Sequence, residues 1–286
     1  MEAAKSRSAL CASKIVSSNP LDSFRRLAHL FVSTEDSKIL KERYEKFAGL
    51  EGPIGADRNF ADSPEWTGRN NPSHTDSLFI NTTQVIYCAP DLGEYDDGLN
   101  GPKKWDNARQ RVLADKSALV LIQKDIAAQG WDDKNLKVEA TTITAPPTLL
   151  TREEAARISD TITFNPIWLE HRIQEGGLFF SDETFEKMKK KGALAELKKE
   201  WKDGKRATPI DSLIEDLSVT LHHEMFHLSA FGSHNDLPAP DPRAYFWMNN
   251  IEYRFRDNPE LMAILALIFD LKQNRKVTVN KDGELK

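Results

Sequence analysis

The stretch TLHHEMFHLSAFG, residues 220–232, holds His223, Glu224 and His227 in the order His-Glu-x-x-His. A helix turns once every 3.6 residues, so imidazoles four positions apart share one face and can bind the same metal ion. The intervening Glu224 reaches the same side. Two neutral imidazole nitrogens leave a zinc ion short of ligands, so a third protein ligand and a water must complete a roughly tetrahedral shell. Zinc lowers the pKa of that water to about 7, and a neighbouring carboxylate can take its proton during attack on a polarised carbonyl. The pattern therefore points to zinc-assisted hydrolysis, with His223 and His227 as metal ligands and Glu224 as general base. His222 projects roughly 100° away around the helix and reads as structural.

The flanks predict a single buried helix between Thr208 and Gly232. Thr208-Pro209 supplies an N-cap followed by proline at the first helical position, Asp211 and Glu215 place negative charge in the opening turns, and Gly232 supplies a stop. Ile210, Leu213, Ile214, Leu217, Leu221 and Leu228 recur at three- and four-residue steps as an apolar stripe. The competing reading makes both histidines core residues satisfied by backbone carbonyls, with Glu224 in an ion pair.

A chain of 286 residues with 40% hydrophobic content can bury a substantial core without staples. Its net charge of −5 and pI near 5.9 argue against nucleic acid or an anionic membrane as partner. No apolar run reaches the roughly 18 residues of a membrane span. The first twenty residues lack an apolar core and do not read as a secretory signal. Cys11 and Cys88 either pair or stay as two reduced thiols, and Asn81-Thr82-Thr83 is a sequon that matters only in a secreted product.

Further out, DSFRRLAHLF and EDSKILKERYEKFAGL predict two helices capped by Asp22 and Thr34 and stopped at Gly49. Residues 51–76 predict a long loop, and LFINTTQVIYC, residues 78–88, a strand. Glu94, Asp96 and Asp97 are expected in a solvated loop. Residues 105–129 predict a long helix, LKVEATTIT a second strand, residues 151–154 the start of a short helix, and residues 161–164 a strand stopped by Asn165-Pro166. The lysine-rich residues 182–206 suit a solvated amphipathic helix, and residues 243–256 and 259–271 two closing helices, the last buried all round. The expected class is α+β and mainly helical. The expected division is an N-terminal helical and strand lobe (1–150), a zinc-binding catalytic region (151–275) and a polar tail (276–286), joined as one continuous domain.

Three kinds of third ligand can be weighed. A histidine completing the metzincin pattern would need glycine at 230 and histidine at 233, where this chain has Ala230 and Ser233. A glutamate from a later helix is available in Glu252, which more simply pairs with Arg254 or Arg256. The third kind is an aspartate shortly after His227.

Over residues 208–272 the chain resembles the deuterolysin, or aspzincin, group of fungal metallopeptidases, particularly its divergent members. There an HExxH helix is followed by an aspartate ligand, then Ala-Tyr-Gly-Trp or similar, then an Asn-x-Asp/Glu element before the last apolar helix. Ala244-Tyr245-Phe246-Trp247 and Asn258-Pro259-Glu260 occupy those places. A monomer is the expected state. The resemblance implies a zincin-like fold, zinc as cofactor and a protein or peptide substrate for a secreted metalloendopeptidase. It also implies Asp236 as third ligand, with Asp241 and then His234 as rivals, and Tyr245 as hydrogen-bond donor to the oxyanion. Three departures stand out: Phe246 replaces the glycine, one extra residue precedes Asp236, and two cysteines cannot form the several disulfides of the group. The alternative function is a catalytically inactive zinc-binding protein that keeps the HExxH site.

Overall fold

The last apolar run, ELMAILALIF at residues 260–269, is buried at every position, and the helices of the larger of two compact units are built around it. A helix apolar on all faces can satisfy its side chains only inside a core, and this one is surrounded as expected. The computed structural model describes residues 2–50, 78–81, 84–87, 90, 92–95, 103–106, 111–114, 117–129, 138–144, 160–201, 207–228, 231–237 and 244–286. In chain order these form helices α1 (Glu2–Lys14), α2 (Ser23–Ala28) and α3 (Thr34–Ala48), then strands β1 (Leu78–Asn81), β2 (Gln84–Tyr87), β3 (Leu92–Tyr95), β4 (Lys103–Asp106) and β5 (Arg111–Val112). Helix α4 (Ala118–Ala128), strands β6 (Ala140–Ile143) and β7 (Asp160–Phe164), and helices α5 (Pro166–Gln174), α6 (Asp182–Lys189) and α7 (Ala193–Glu200) follow. The chain then forms α8 (Asp211–Ile214), α9 (Leu217–His227), α10 (Trp247–Tyr253) and α11 (Pro259–Asn274). The fold is α+β and mainly helical, with two small sheets.

Residues 1–50 and 176–286 make one compact unit and residues 51–175 the other. In the second unit, β1-β2-β7-β6 form a sheet in which β2 and β7 run parallel and the outer pairs antiparallel. Strand β7 is buried on both faces, as befits a central strand. The second sheet is β3-β4-β5, antiparallel throughout. Asn165 ends β7 and caps α5 by accepting from Ile167 N, while its amide donates to Asp125 and to the Val138 carbonyl.

Several predicted boundaries move. The single strand over residues 78–88 is two antiparallel strands, and Glu94 lies in β3, not a loop. The helix expected from Trp105 begins only at Ala118, because Trp105 and Val112 are paired across β4 and β5. Short apolar runs fit either period, and strand pairing decided this one. Ser33, not Thr34, caps α3, in a reciprocal box with Asp36. The lysine-rich helix is broken by Gly192, whose φ of +99° separates α6 from α7. The predicted loop at 51–76, the short helix from 151, Asp96, Asp97 and Cys88 lie outside the described residues, and Cys11 is a free, buried thiol.

Helix α1, which no sequence signal announced, belongs to the core: Ala4, Ser8, Cys11 and Ala12 are buried, and it packs on α3, α9 and α11. Its Arg7 donates to Ser218 Oγ at 2.7 Å and lies within 3.9 Å of Asp216 and 3.5 Å of Asp270. Ser8 Oγ meets His222 Nε2 at 2.8 Å. Burial pushes His222 down to about 3, so it is neutral, and Phe47 and Phe226 flank its ring. Residues 276–286, expected as a polar tail, are tied to the rest of this unit. Val279 and Leu285 pair and are buried, Lys281 accepts from Trp247 Nε1, and the Gly283 carbonyl accepts from Ile210 N. Gly283 has φ +78° and abuts Thr208, where a Cβ would come within 2.6 Å.

Arg7 is thus a buried cation that ties α1 to the start of α9 and to the C-terminal part of α11. Arg7→Ala leaves Asp216 buried without its guanidinium and is expected to destabilise the protein by about 3 kcal/mol in urea unfolding. A loss under about 0.5 kcal/mol, the range of an ordinary surface substitution, would remove Arg7 from this role.

Candidate metal centre

The predicted helix from Thr208 to Gly232 is two helices, because Asp216 turns its carboxylate onto Ser218 N and caps a fresh start at Leu217. The first turn is locked by a reciprocal pair: Thr208 N and Oγ1 donate to Asp211 Oδ2, and Asp211 N reaches back to Thr208 Oγ1. Helix α9 ends at His227, and the chain reverses through Ser233 and Gly232, both at positive φ. That reversal brings His234 and Asp236 back over the end of the helix. The His234 carbonyl accepts from His227 Nδ1 at 2.6 Å.

Both histidines are oriented from behind. His223 Nδ1 meets Glu260 Oε2 at 3.0 Å, and His227 Nδ1 faces a backbone carbonyl, so each acceptor requires its Nδ1 to carry the hydrogen. In a neutral ring the lone pair then sits on Nε2. The two Nε2 atoms face each other at 3.1 Å, and Asp236 Oδ1 lies 3.3 Å from one and 3.6 Å from the other. That oxygen is buried and makes no hydrogen bond. Three electron-pair donors that converge repel one another unless positive charge, a proton or a metal ion, lies between them. Among the described residues, His223, His227 and Asp236 are the group of His, Cys, Asp or Glu side chains that could hold a metal ion.

Electrostatics point the same way. Glu260 and Glu224 are buried, and with Asp236 they are three carboxylates that act on His223. Burial disfavours the charged form of His223, but Asp236, Glu260 and Glu224 outweigh it and hold its pKa well above the usual range. Burial likewise opposes the charge on Asp236, yet His223, His227 and the Tyr245 hydroxyl keep its carboxyl below the usual range. A buried site that pulls a proton onto histidine is short of positive charge, and a divalent cation supplies that charge with better coordination.

The remaining predicted residues fall out as follows. Tyr245 stacks on His223 with ring centroids 6.0 Å apart, and its hydroxyl donates to Asp236 Oδ2 at 2.8 Å. Glu224 lies on α9, buried, and its charge acts on both His223 and Tyr245. His234 contributes its main-chain carbonyl and is not in the ligand group, while Glu252 is exposed on α10. Asp241 lies outside the described residues. Sequence reasoning did not assign Glu260 its place behind His223. The signal available was its position in Asn258-Pro259-Glu260, where proline starts α11 and aims the first-turn carboxylate at the site. Asn258 donates to the Ala244 carbonyl and to Asn250, joining the returning chain to α10.

In comparisons with known proteins, no family model, curated protein or solved structure matches the chain.

Phe246 stands beside Tyr245 with φ +71° and ψ 156°, a conformation that costs a non-glycine residue on the order of 1–3 kcal/mol. Two buried carboxylates hold it there: Glu260 accepts from Phe246 N at 3.4 Å and Asp211 from Trp247 N at 2.7 Å. Burial pushes Asp211 up from 3.8 to about 6, despite its hydrogen bonds from Thr208 and Trp247. The folded state therefore holds this proton more tightly than the unfolded chain. Its contribution to stability is full below pH 3.8 and is lost as pH rises through about 6. Asp211→Asn lacks that titration. Its stability relative to wild type, from urea unfolding, is expected to improve by on the order of 1–3 kcal/mol between pH 4 and 7. A difference independent of pH would show that Asp211 ionises normally.

Proposed function

We propose that the protein is a zinc-dependent metallopeptidase, a divergent relative of the deuterolysin group, that hydrolyses peptide bonds in a protein or peptide substrate. The observation that carries this reading is the convergence of both Nε2 atoms with the unbonded Oδ1 of Asp236, on an HExxH helix with Glu224 buried beside them. Two imidazole nitrogens and one carboxylate oxygen, leaving a position free, are a donor set suited to zinc at a hydrolytic site. Zinc held there would supply a Lewis acid to polarise the scissile carbonyl and acidify water.

The protein's own groups divide the remaining work. Glu224 takes the proton of the attacking water and passes it to the leaving amine, so one carboxylate serves as base and then acid. Glu260 and the His234 carbonyl fix the tautomers of His223 and His227 and raise the basicity of the ligating nitrogens. Side-chain exposures of 16% for His227 and 29% for Asp236 leave one side of the group open to substrate, while His223 at 8% closes the other.

One observation favours the alternative of a zinc-binding protein without turnover. Phe246 presents a bulky ring, 6.5 Å from that of Tyr245, where the resembling group has glycine. A narrowed approach would preserve metal binding and lose cleavage.

Glu224→Gln separates these readings. In a mixed-sequence peptide library, wild type is expected to cleave, and the variant is expected to lose at least roughly 100-fold in kcat/KM with its zinc retained. Equal cleavage by both proteins overturns the assignment of Glu224. A zinc-loaded wild type that cleaves nothing in the library establishes the inactive binder.

A further inference from the structure

Tyr245 has one hydroxyl proton, and it is committed. The hydroxyl donates to Asp236 Oδ2 at 2.8 Å, while Oδ1 of the same carboxylate faces the two histidine nitrogens with no hydrogen bond of its own. The phenol is fixed at its other end, because its ring stacks on that of His223 and the next residue is clamped through Phe246 N and Trp247 N. The oxyanion role implied by resemblance would require the hydrogen bond to Asp236 to break. Its geometry fits a different task.

We propose that Tyr245 is a positioning residue for the metal: by capping Oδ2 it restricts Asp236 to a single ligand oxygen, and so favours a compact four-coordinate cation over larger oxygen-seeking ones. The reasoning concerns ligand count. A free carboxylate can offer both oxygens, the mode that cations taking six or more oxygen ligands exploit. A carboxylate with one oxygen engaged by a donor offers only the other, and together with two imidazoles it gives three protein ligands in a narrow space. Charge is unaffected, since the phenol is neutral; only the carboxylate's freedom to turn is lost.

This inference rests on the metal-site reading above, and the test distinguishes the two failures. The full chain is stripped with a chelator and titrated with zinc, and separately with manganese, against a chromophoric competitor, for wild type and Tyr245→Phe. The variant keeps the ring on His223 and removes only the hydroxyl. Its zinc affinity is expected to fall roughly 10–100-fold, with manganese affinity falling less or rising, so that the zinc-to-manganese ratio narrows. At saturating cobalt, on the folded fraction from gel filtration, wild type is expected to show the intense visible bands of a four-coordinate ion and the variant weaker bands of higher coordination. A partly unfolded variant would lose both metals in proportion and leave the ratio unchanged. An unchanged ratio with an unchanged cobalt spectrum overturns the assignment of Tyr245. A folded wild type that binds neither zinc nor cobalt overturns the metal site itself.

Discussion

The structure turns on one electrostatic constraint: two imidazole Nε2 atoms and a carboxylate oxygen are brought within 3.1 to 3.6 Å of one another, an approach that needs positive charge among them. A protein core does not bring such groups together without compensation, because buried unpaired acceptors cost free energy and like charges repel more strongly in a poorly polarisable interior. Each of the three is fixed from its far side, by Glu260, by the His234 carbonyl and by Tyr245. The arrangement is rigid in the direction that prevents the donors from turning away. Rigidity of that kind is what a metal site needs and what an incidental pair of core histidines lacks.

The rest of the larger unit supplies that rigidity. Helix α11 presents Glu260 in its first turn and buries its apolar length beneath α9, while α1 grips α9 through Arg7 and Ser8. Beside the site, Asp211 and Glu260 hold consecutive backbone N–H groups and keep Phe246 at a φ that would otherwise relax. Glu260 thus touches both the back of a histidine and the strained turn that aims Tyr245. Strain of this sort persists only where the surroundings over-determine it, and here the determinants are two buried carboxylates.

The sequence made the candidate site more legible than the architecture. His223, Glu224 and His227 announced themselves through spacing alone, because helical periodicity is local and survives any change in tertiary context. The closing helix α11 was equally plain from an apolar run with proline at its start. Asp236 was harder to name, since its approach depends on the reversal at Gly232 and Ser233 and on Asn258, contacts between residues far apart in the chain. Asp211 read as an ordinary first-turn acid and Glu260 as the end of the Asn258-Pro259-Glu260 element, and only the folded chain shows what they hold. Helix α1 went unread because its small buried residues, Ala4, Ser8, Cys11 and Ala12, give little hydrophobic contrast. The strands at 103–112 were masked by apolar spacings that fit either period.

The central claim is that this convergence is a metal site, and metal content tests it most directly. Elemental mass spectrometry on purified wild type, beside His227→Ala and Asp236→Ala, is predicted to find one zinc per wild-type chain and little in either variant. A well-folded wild type that carries no metal, even after zinc is added back and excess removed, would contradict it and return these histidines to the core.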